Sequence, residues 1–374
     1  MRLRMPATLL FGYGVLADLP AVLGEVGAAR PLIVTDPGVA AAGWAGRVRQ
    51  EVEADVWDGI EPDPDEGHAD RCGEALRAGG YDAVIAVGGG SVIDAAKVAA
   101  VLATQGGRTS DYFGFDRVPR PGLPLVVVPT TAGSGAEVSS HAVIVQREPR
   151  KKEVVSSIHL LPRAAVVDPE ATTTLSTVQT AYTVLDGLIH ALEAFVARRA
   201  TPFTDTFARQ AVPRIASALP RVLAGSTDPA DREELSLGCL YSGVAMANAN
   251  AGVIHALGYP LTGRYGVPHG LANALMAAAA LERTWPALPE RYGELSRLLG
   301  GADGEGGELP ERMRGLLAAA GIRDTLASWG VAEADLPDLA EAATHFKPVL
   351  QNTPVALTGD DLLAIYRSAW SAGA

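Results

Sequence analysis

Apolar residues fall along this chain in two textures. In the first half, short uninterrupted runs (Leu32-Ile33-Val34, Ala83-Val84-Ile85-Ala86-Val87, Leu125-Val126-Val127-Val128 and Ala164-Ala165-Val166-Val167) alternate with segments of helical spacing. Runs without polar interruption suit strands covered on both faces, so they predict a parallel sheet flanked by helices. After Asp168-Pro169 the texture changes to Ala- and Leu-rich segments, Ala181 to Arg198, Phe203 to Leu223 and Glu233 to Asn248, punctuated by Pro, Gly and Asp. These predict a mainly helical second half. The expected organisation is an α/β domain over residues 1–170 and a helical domain over 171–374, with the Gly-rich stretch 300–307 as a loop between two helices.

Composition narrows the class of partner. The chain has 374 residues and a net charge of -12, from 43 acidic and 31 basic side chains, which argues against a nucleic-acid partner because that binding needs basic surface. Cys72 and Cys239 are too few for a disulfide framework or a Cys-rich zinc site, and fit a reduced compartment with both thiols packed as apolar groups. The start of the chain lacks the long apolar core of a signal peptide, and no stretch reaches the roughly 18 uncharged apolar residues of a spanning helix. The expectation is a soluble cytoplasmic protein with no membrane partner.

Candidate chemistry in the first half lies at strand exits. The run ending at Val87 continues into Gly88-Gly89-Gly90-Ser91 and then the helical Val92-Ile93-Asp94-Ala95-Ala96-Lys97. Glycines without side chains let backbone N–H groups approach a phosphate, and the helix dipole favours the same anion. Ser91 and Asp94 also fit a capping box, so a purely structural turn stands beside phosphate binding. Pro129-Thr130-Thr131-Ala132-Gly133-Ser134-Gly135 offers hydroxyls and backbone donors at a second exit, and two such exits suggest one crevice, although such a loop is ordinary by itself. Asp36 follows Leu32-Ile33-Val34-Thr35, where an acid could accept from a ribose diol or simply form a turn before Pro37-Gly38. Gly12-Tyr13-Gly14-Val15-Leu16-Ala17 imitates a dinucleotide fingerprint but lacks the acidic residue expected downstream, and reads as a decoy turn.

In the second half, Asp186 and His190 are four apart in a helical segment and so leave one face of it. His255 and His269 lie in further apolar segments. A lone apolar-context histidine is ordinarily a core residue. Three of only seven histidines in one half, with an aspartate that needs a partner if buried, instead suggest a four-ligand metal site. Three imidazoles and one carboxylate suit Fe(II) or Zn(II) better than Mg(II) or Ca(II).

Taken together, Gly88-Gly89-Gly90-Ser91-x-x-Asp94-x-x-Lys97, Pro129 to Glu137, Asp186-x-x-x-His190-Ala191-x-Glu193 and Pro268-His269-Gly270-x-Ala272-Asn273 resemble the signatures of the iron-containing, group III alcohol dehydrogenases. The resemblance implies an N-terminal Rossmann-like α/β domain and an all-α C-terminal domain, an architecture shared with dehydroquinate synthase, with an NAD cleft between them. It implies cofactor contacts at Gly88, Gly89, Gly90, Ser91, Thr130, Thr131 and Ser134, a ribose-reading role for Asp36, a cleft-edge place for Asp94 and a nicotinamide-ribose contact for Lys152, otherwise a solvated residue of a basic run. It also implies a homodimer or larger assembly. One departure stands out: four residues after His255 the family commonly has a second histidine, and here that residue is Tyr259. Its phenol, with an ordinary pKa of about 10, is either a proton relay or a pocket filler.

The activity expected is NAD(H)-linked hydride transfer between nicotinamide C4 and a metal-bound small alcohol, aldehyde or ketone, in a pocket near Ser139-Ser140-His141, Phe195 and Tyr259. A dehydroquinate synthase-like lyase is the nearest competing activity, and a non-catalytic assembly protein a more distant one. The basic cluster that a phosphorylated sugar acid requires is not evident in the helical half.

Overall fold

The computed structural model describes residues 2–149, 151–301, 304 and 306–371. It divides into two compact units, one of Arg4–Leu175 and one that begins at Ser176.

The first unit is built on the predicted apolar runs. A six-stranded, all-parallel sheet contains β1 (Thr8–Phe11), β2 (Pro31–Val34), β3 (Asp55–Trp57), β4 (Ala83–Gly88), β6 (Leu125–Pro129) and β9 (Ala164–Val167) in the order β1-β9-β6-β4-β2-β3. A separate three-stranded sheet orders β5 (Gly114–Phe115), β8 (Lys151–Ser156) and β7 (His141–Gln146). The four runs read from sequence are the strands buried along their whole length, because helices cover both faces. Edge strands β1 and β3 are partly exposed: β3 has only Val56 and Trp57 as apolar residues, whereas β1 carries Leu9-Leu10-Phe11, an apolar run that the patterning passed over. The basic run Arg147 to Lys152 follows β7 and enters β8 at Lys151 and Lys152, which pair antiparallel with Gln146 and Val145; residue 150 lies outside the described residues.

Helices α1 (Leu19–Glu25), α2 (Pro37–Ala41), α3 (Trp44–Glu51), α4 (Glu66–Gly79) and α5 (Gly90–Gln105) complete this unit. The core between sheet and helices includes Leu19, Val22, Trp44 and Val48 against Ile33, Ile85, Val87, Val126 and Val166. Helix α5 is apolar nearly all round, yet buries Lys97, whose Nζ donates to Ser139 Oγ (3.0 Å) and His141 O (2.7 Å). The Asp94 carboxylate lies 3.7 Å from Lys97 Nζ and accepts from the Val143 amide (2.9 Å), so one helical turn fastens β7 twice.

The second unit is helical, as its patterning predicts: α6 (Thr177–Val196), α7 (Pro202–Leu223), α8 (Pro229–Ala249), α9 (Val253–Tyr265), α10 (His269–Thr284), α11 (Pro289–Leu298), α12 (Leu309–Ala319), α13 (Leu336–Ala343), α14 (Lys347–Asn352) and α15 (Gly359–Ser371). A Ser176/Gln179 capping box starts α6, and the Arg291 guanidinium donates to Phe195 O at its other end (Nε, 3.0 Å). Within the Gly-rich stretch expected to be a loop, residues 302, 303 and 305 lie outside the described residues, while Gly306–Glu308 form a short 3-10 turn leading into α12. Among the described residues no single helix is long and apolar enough to cross a membrane.

Glu137, buried on the turn after β6, has its carboxyl pushed up to about 7, with burial as the main cause and Lys97 only partly opposing it. Between the ordinary carboxylate range and pH 7 the folded chain keeps this proton while the unfolded chain has lost it, so stability falls as pH rises through that window. Glu137→Gln removes that loss. The melting temperature of the variant relative to wild type is expected to climb from about pH 5 to about pH 8, and a pH-independent difference would contradict this.

Candidate active site

In the first unit, the chain leaves β2 toward β3 on one side of the sheet and places β4, β6 and β9 on the other, so strand order reverses between β2 and β4. Ligands of open α/β sheets bind outside the carboxyl ends of strands at such a reversal. Asp36 and Gly88-Gly89-Gly90-Ser91 sit at those two ends. Gly88 is in register with Pro129 on neighbouring β6, and Thr130 N donates to Gly88 O (3.0 Å), which brings the second strand exit alongside the first.

The glycines are required by close approach. A Cβ on Gly89 would stand 2.9 Å from Thr131 Cγ2, one on Gly90 3.1 Å from Ser134 Oγ, and one on Gly88 2.6 Å from Val92 Cγ2. Gly89 precedes a sixteen-residue helix with no side-chain cap, so the first-turn amides of α5 keep the donors that an anion would meet. Ser91 therefore lies inside the helix and does not cap it. Asp36 does serve as a cap, accepting from Val39 N (2.9 Å) at the start of α2. In the Gly12–Ala17 turn, Gly14 N donates to Asp168 Oδ2 (2.9 Å).

In the second unit, four predicted side chains converge. Asp186 and His190 project from α6, His255 from the first turn of α9, and His269 from the first residue of α10. Asp186 Oδ1 lies 3.7 Å from His255 Nε2 and 3.9 Å from His269 Nε2, while Asp186 Oδ2 lies 3.8 Å from His190 Nε2. Donor atoms of Asp186, His255 and His269 form the tightest grouping, all within 4.8 Å of one another. His190 joins through the other carboxylate oxygen and stacks on the His255 ring at 4.8 Å. Ligands held about 2.0–2.2 Å from one ion are spaced in this way.

The donor set passes a chemical test for a metal. His255 Nδ1 is committed to Glu193 Oε2 at 2.6 Å, leaving His255 Nε2 fully buried, facing Asp186 and with no hydrogen-bond partner among the described residues. An acceptor fixed on Nδ1–H, with Nε2 facing the site, is the usual preparation of a metal-binding imidazole. Burial opposes ionisation of Asp186, but His190, His269 and His255, with a bond from Asn273 Nδ2 (2.8 Å), hold its carboxyl at about 2. For His255, burial pulls the pKa down, and the Glu193 and Asp186 carboxylates more than offset it. A divalent cation supplies the same compensation for the carboxylates without the protons.

One expectation about the pocket needs revision, and the other residues named for the site have the following surroundings. Phe195, expected near the substrate pocket, is fully buried, with the Arg291 guanidinium 4.2 Å and that of Arg209 5.2 Å from its ring centre, so it is core. Ser139 is buried as the acceptor of Lys97. Asp94 is bound to Val143 N and beside Lys97, and Lys152 Nζ pairs with Asp63 Oδ1 at 2.9 Å. Tyr259 stacks face to face on His269 (5.4 Å, 6°) and tilts against Phe346 (4.6 Å). Burial, with the Asp186 and Glu193 charges, drives its phenol far above the ordinary range, so it keeps its proton. Sequence reasoning missed Glu193 and Asn273 as members of the site. Their signal was spacing: Glu193 is seven residues after Asp186 on α6, and Asn273 is four after His269 on α10.

A parallel α/β unit with a phosphate-ready strand exit, joined in one chain to a helical unit bearing a three-histidine, one-carboxylate cluster, defines a metal- and nucleotide-binding class of protein. The family model for iron-containing alcohol dehydrogenase matches residues 6–169, and that for the C-terminal region of the Fe-containing alcohol dehydrogenase family matches residues 180–370. The chain belongs to the iron-containing alcohol dehydrogenase family. It is 32% identical to alcohol dehydrogenase 4 of Schizosaccharomyces pombe, over 98% of this chain and 88% of that one. It resembles the crystal structure of a 1,3-propanediol oxidoreductase (TM-score 0.94, 30% identity, 98% of this chain and 99% of that one). It also resembles sulfoacetaldehyde reductase from Bifidobacterium kashiwanohense in complex with NAD+ (TM-score 0.92, 29% identity, 99% and 98%).

A Cβ on Gly258 of α9 would stand 2.0 Å from Asn273 Oδ1. Gly258→Ala must therefore displace Asn273, which holds Asp186. The variant is expected to melt lower and to bind Zn(II) about 10-fold more weakly by competitive chelator titration. Unchanged affinity would show that the Asn273 bond does not orient the carboxylate.

Proposed function

We propose that this chain is a metal-dependent, NAD(H)-linked alcohol dehydrogenase or aldehyde reductase acting on a small alcohol, aldehyde or ketone. The observation that carries this reading is the convergence of Asp186, His190, His255 and His269, with a buried His255 Nε2 that faces Asp186 and has no hydrogen-bond partner among the described residues. Membership of the family supports the reaction, and the NAD+ in the similar reductase supports the cofactor. Asp186, His190, His255 and His269 would hold a divalent ion, Fe(II) or Zn(II), which would supply Lewis acidity toward a substrate oxygen, and a bound nicotinamide would supply the hydride donor or acceptor.

The chain's own residues set up that chemistry. Asp186 brings a fixed negative charge, and the three imidazoles bring neutral donors, so the site keeps a net positive charge when a divalent ion is held. The first-turn amides of α5 at Gly90 and Ser91, together with Gly88, Gly89, Thr130, Thr131 and Ser134, are assigned to the dinucleotide phosphates and the adjoining ribose. Asp36 is assigned to the adenosine ribose, where its charge disfavours a 2′-phosphate; its capping bond engages Oδ1. Asp94 is assigned to the edge of the cofactor site and Lys152 to the nicotinamide ribose, both already anchored by the bonds described. Tyr259 is assigned as an aromatic wall that holds His269 by stacking, since a phenol with so high a pKa is a poor relay at neutral pH. A cytoplasmic setting is supported by two buried, unbridged cysteines, and a homodimer or larger assembly by membership of the family.

The test is anaerobic NADH oxidation against an aldehyde and ketone panel, after stripping the metal and restoring Fe(II) or Zn(II). Turnover is expected only in the restored protein and is expected to vanish in His255→Ala. A metal-loaded, NADH-binding chain with no turnover on the panel would contradict the assignment. Tyr259→Phe separates wall from relay: turnover and its pH profile are expected to change by no more than about twofold. A loss of about 100-fold, the scale of general acid–base catalysis, would make Tyr259 a relay.

A further inference from the structure

The polar environment of Glu193 is more elaborate than one bond to a histidine requires. Its buried carboxylate accepts three times: Oε2 from Gly252 N (2.8 Å) and His255 Nδ1 (2.6 Å), and Oε1 from Ile254 N (2.6 Å). Gly252 is the N-cap residue of α9 and supplies no side-chain cap, so Glu193 takes the place of one from a different helix. The segment just before is held from another side, where the two N–H groups of Asn352 Nδ2 are shared among Ala249 O (2.8 Å), Asn250 O (3.1 Å) and Ala251 O (2.8 Å). Asn250 has a φ of 68°, a conformation that side-chain-bearing residues adopt only when the surroundings enforce it.

We propose that Glu193 is the positioning residue of the metal site: the one carboxylate both fixes the Nδ1–H tautomer of His255 and caps α9, so that metal binding and the order of the α8–α9 turn are a single cooperative event. This rests on the metal-site reading above and goes beyond it by assigning the coupling. All three groups facing Glu193 are donors when His255 presents Nε2 to the metal. An isosteric glutamine has one acceptor oxygen and one NH2 group, so it cannot serve both sides. If its NH2 faces His255, the ring must accept at Nδ1, and Nε2 then carries a hydrogen toward the metal. If its NH2 faces Ile254, two buried donors oppose each other at the start of α9. Size is unchanged, while one acceptor oxygen and the negative charge that faces His255 are lost.

The test is Glu193→Gln, with metal-stripped proteins titrated by Zn(II) and Co(II). The expected result is a 10- to 100-fold weaker affinity than wild type and an altered Co(II) d–d spectrum. Wild-type affinity and an unchanged spectrum in a variant that only melts lower would reduce Glu193 to a structural cap and overturn the proposal. Hydrogen exchange on the wild-type chain tests it independently of how well the variant folds. Adding Zn(II) is expected to slow exchange of the Gly252 and Ile254 amides more than that of α11, and uniform slowing or none, with metal bound, would overturn it. Failure of the wild type to bind either metal would instead defeat the metal-site reading itself.

Discussion

A carboxylate buried inside a helical core is tenable only when something positive or hydrogen-donating faces it, and Asp186 is the point on which the second unit of this protein turns. Isolated there it would neutralise, because desolvation disfavours the charged form. Three imidazoles and the Asn273 amide instead hold it ionised, with a carboxyl near 2. The helices must therefore cross where these groups meet: α6 carries Asp186 and His190, α9 brings His255, and α10 brings His269 and Asn273. Glycines make the crossing close enough. A Cβ at Gly258 would strike Asn273 Oδ1, and one at Gly270 would fall 2.0 Å from the Tyr182 carbonyl oxygen.

The same helix face carries the outer support. Asp186, His190 and Glu193 lie at intervals of four and three on α6, so one helix presents two groups to the metal position and a third to the back of His255. Helices α9 and α10 both begin at ligand-bearing turns, which fixes His255 and His269 by backbone rather than by long side-chain reach. In the first unit, buried strands do the corresponding work. They deliver the glycine-rich exit of β4 to the strand-order reversal between β2 and β4, where the missing side chains of Gly89 and Gly90 let Thr131 and Ser134 of the neighbouring exit pack close.

Legibility in the sequence followed the physical origin of each signal. The strands β2, β4, β6 and β9 were readable because burial on both faces demands unbroken apolar runs, whereas edge strands β1 and β3 have no such demand. Asp186 and His190 were readable from helical spacing, and His255 and His269 from their rarity in an apolar setting, with the family resemblance joining them. Glu193 and Asn273 stood in the quoted motifs, yet their partners lie 62 residues away at His255 and 87 residues away at Asp186, contacts that local pattern does not encode. Lys97 illustrates the same limit: a lysine on an apolar helix is tolerated because Ser139 and His141, over forty residues on, supply its acceptors. Phe195 was misplaced because aromatic character alone does not distinguish a pocket wall from core packed under two arginines.

The central claim, that three imidazoles and one carboxylate of the helical unit bind a single divalent ion, is tested most directly by X-ray absorption on the Zn(II)-loaded chain. The account predicts a nitrogen and oxygen shell at about 2.0–2.2 Å, imidazole multiple scattering from three rings, and loss of one ring's contribution in His269→Ala. A sulfur shell at about 2.3 Å, drawn from Cys72 or Cys239, or a shell without imidazole scattering, would place the ion elsewhere and contradict the account.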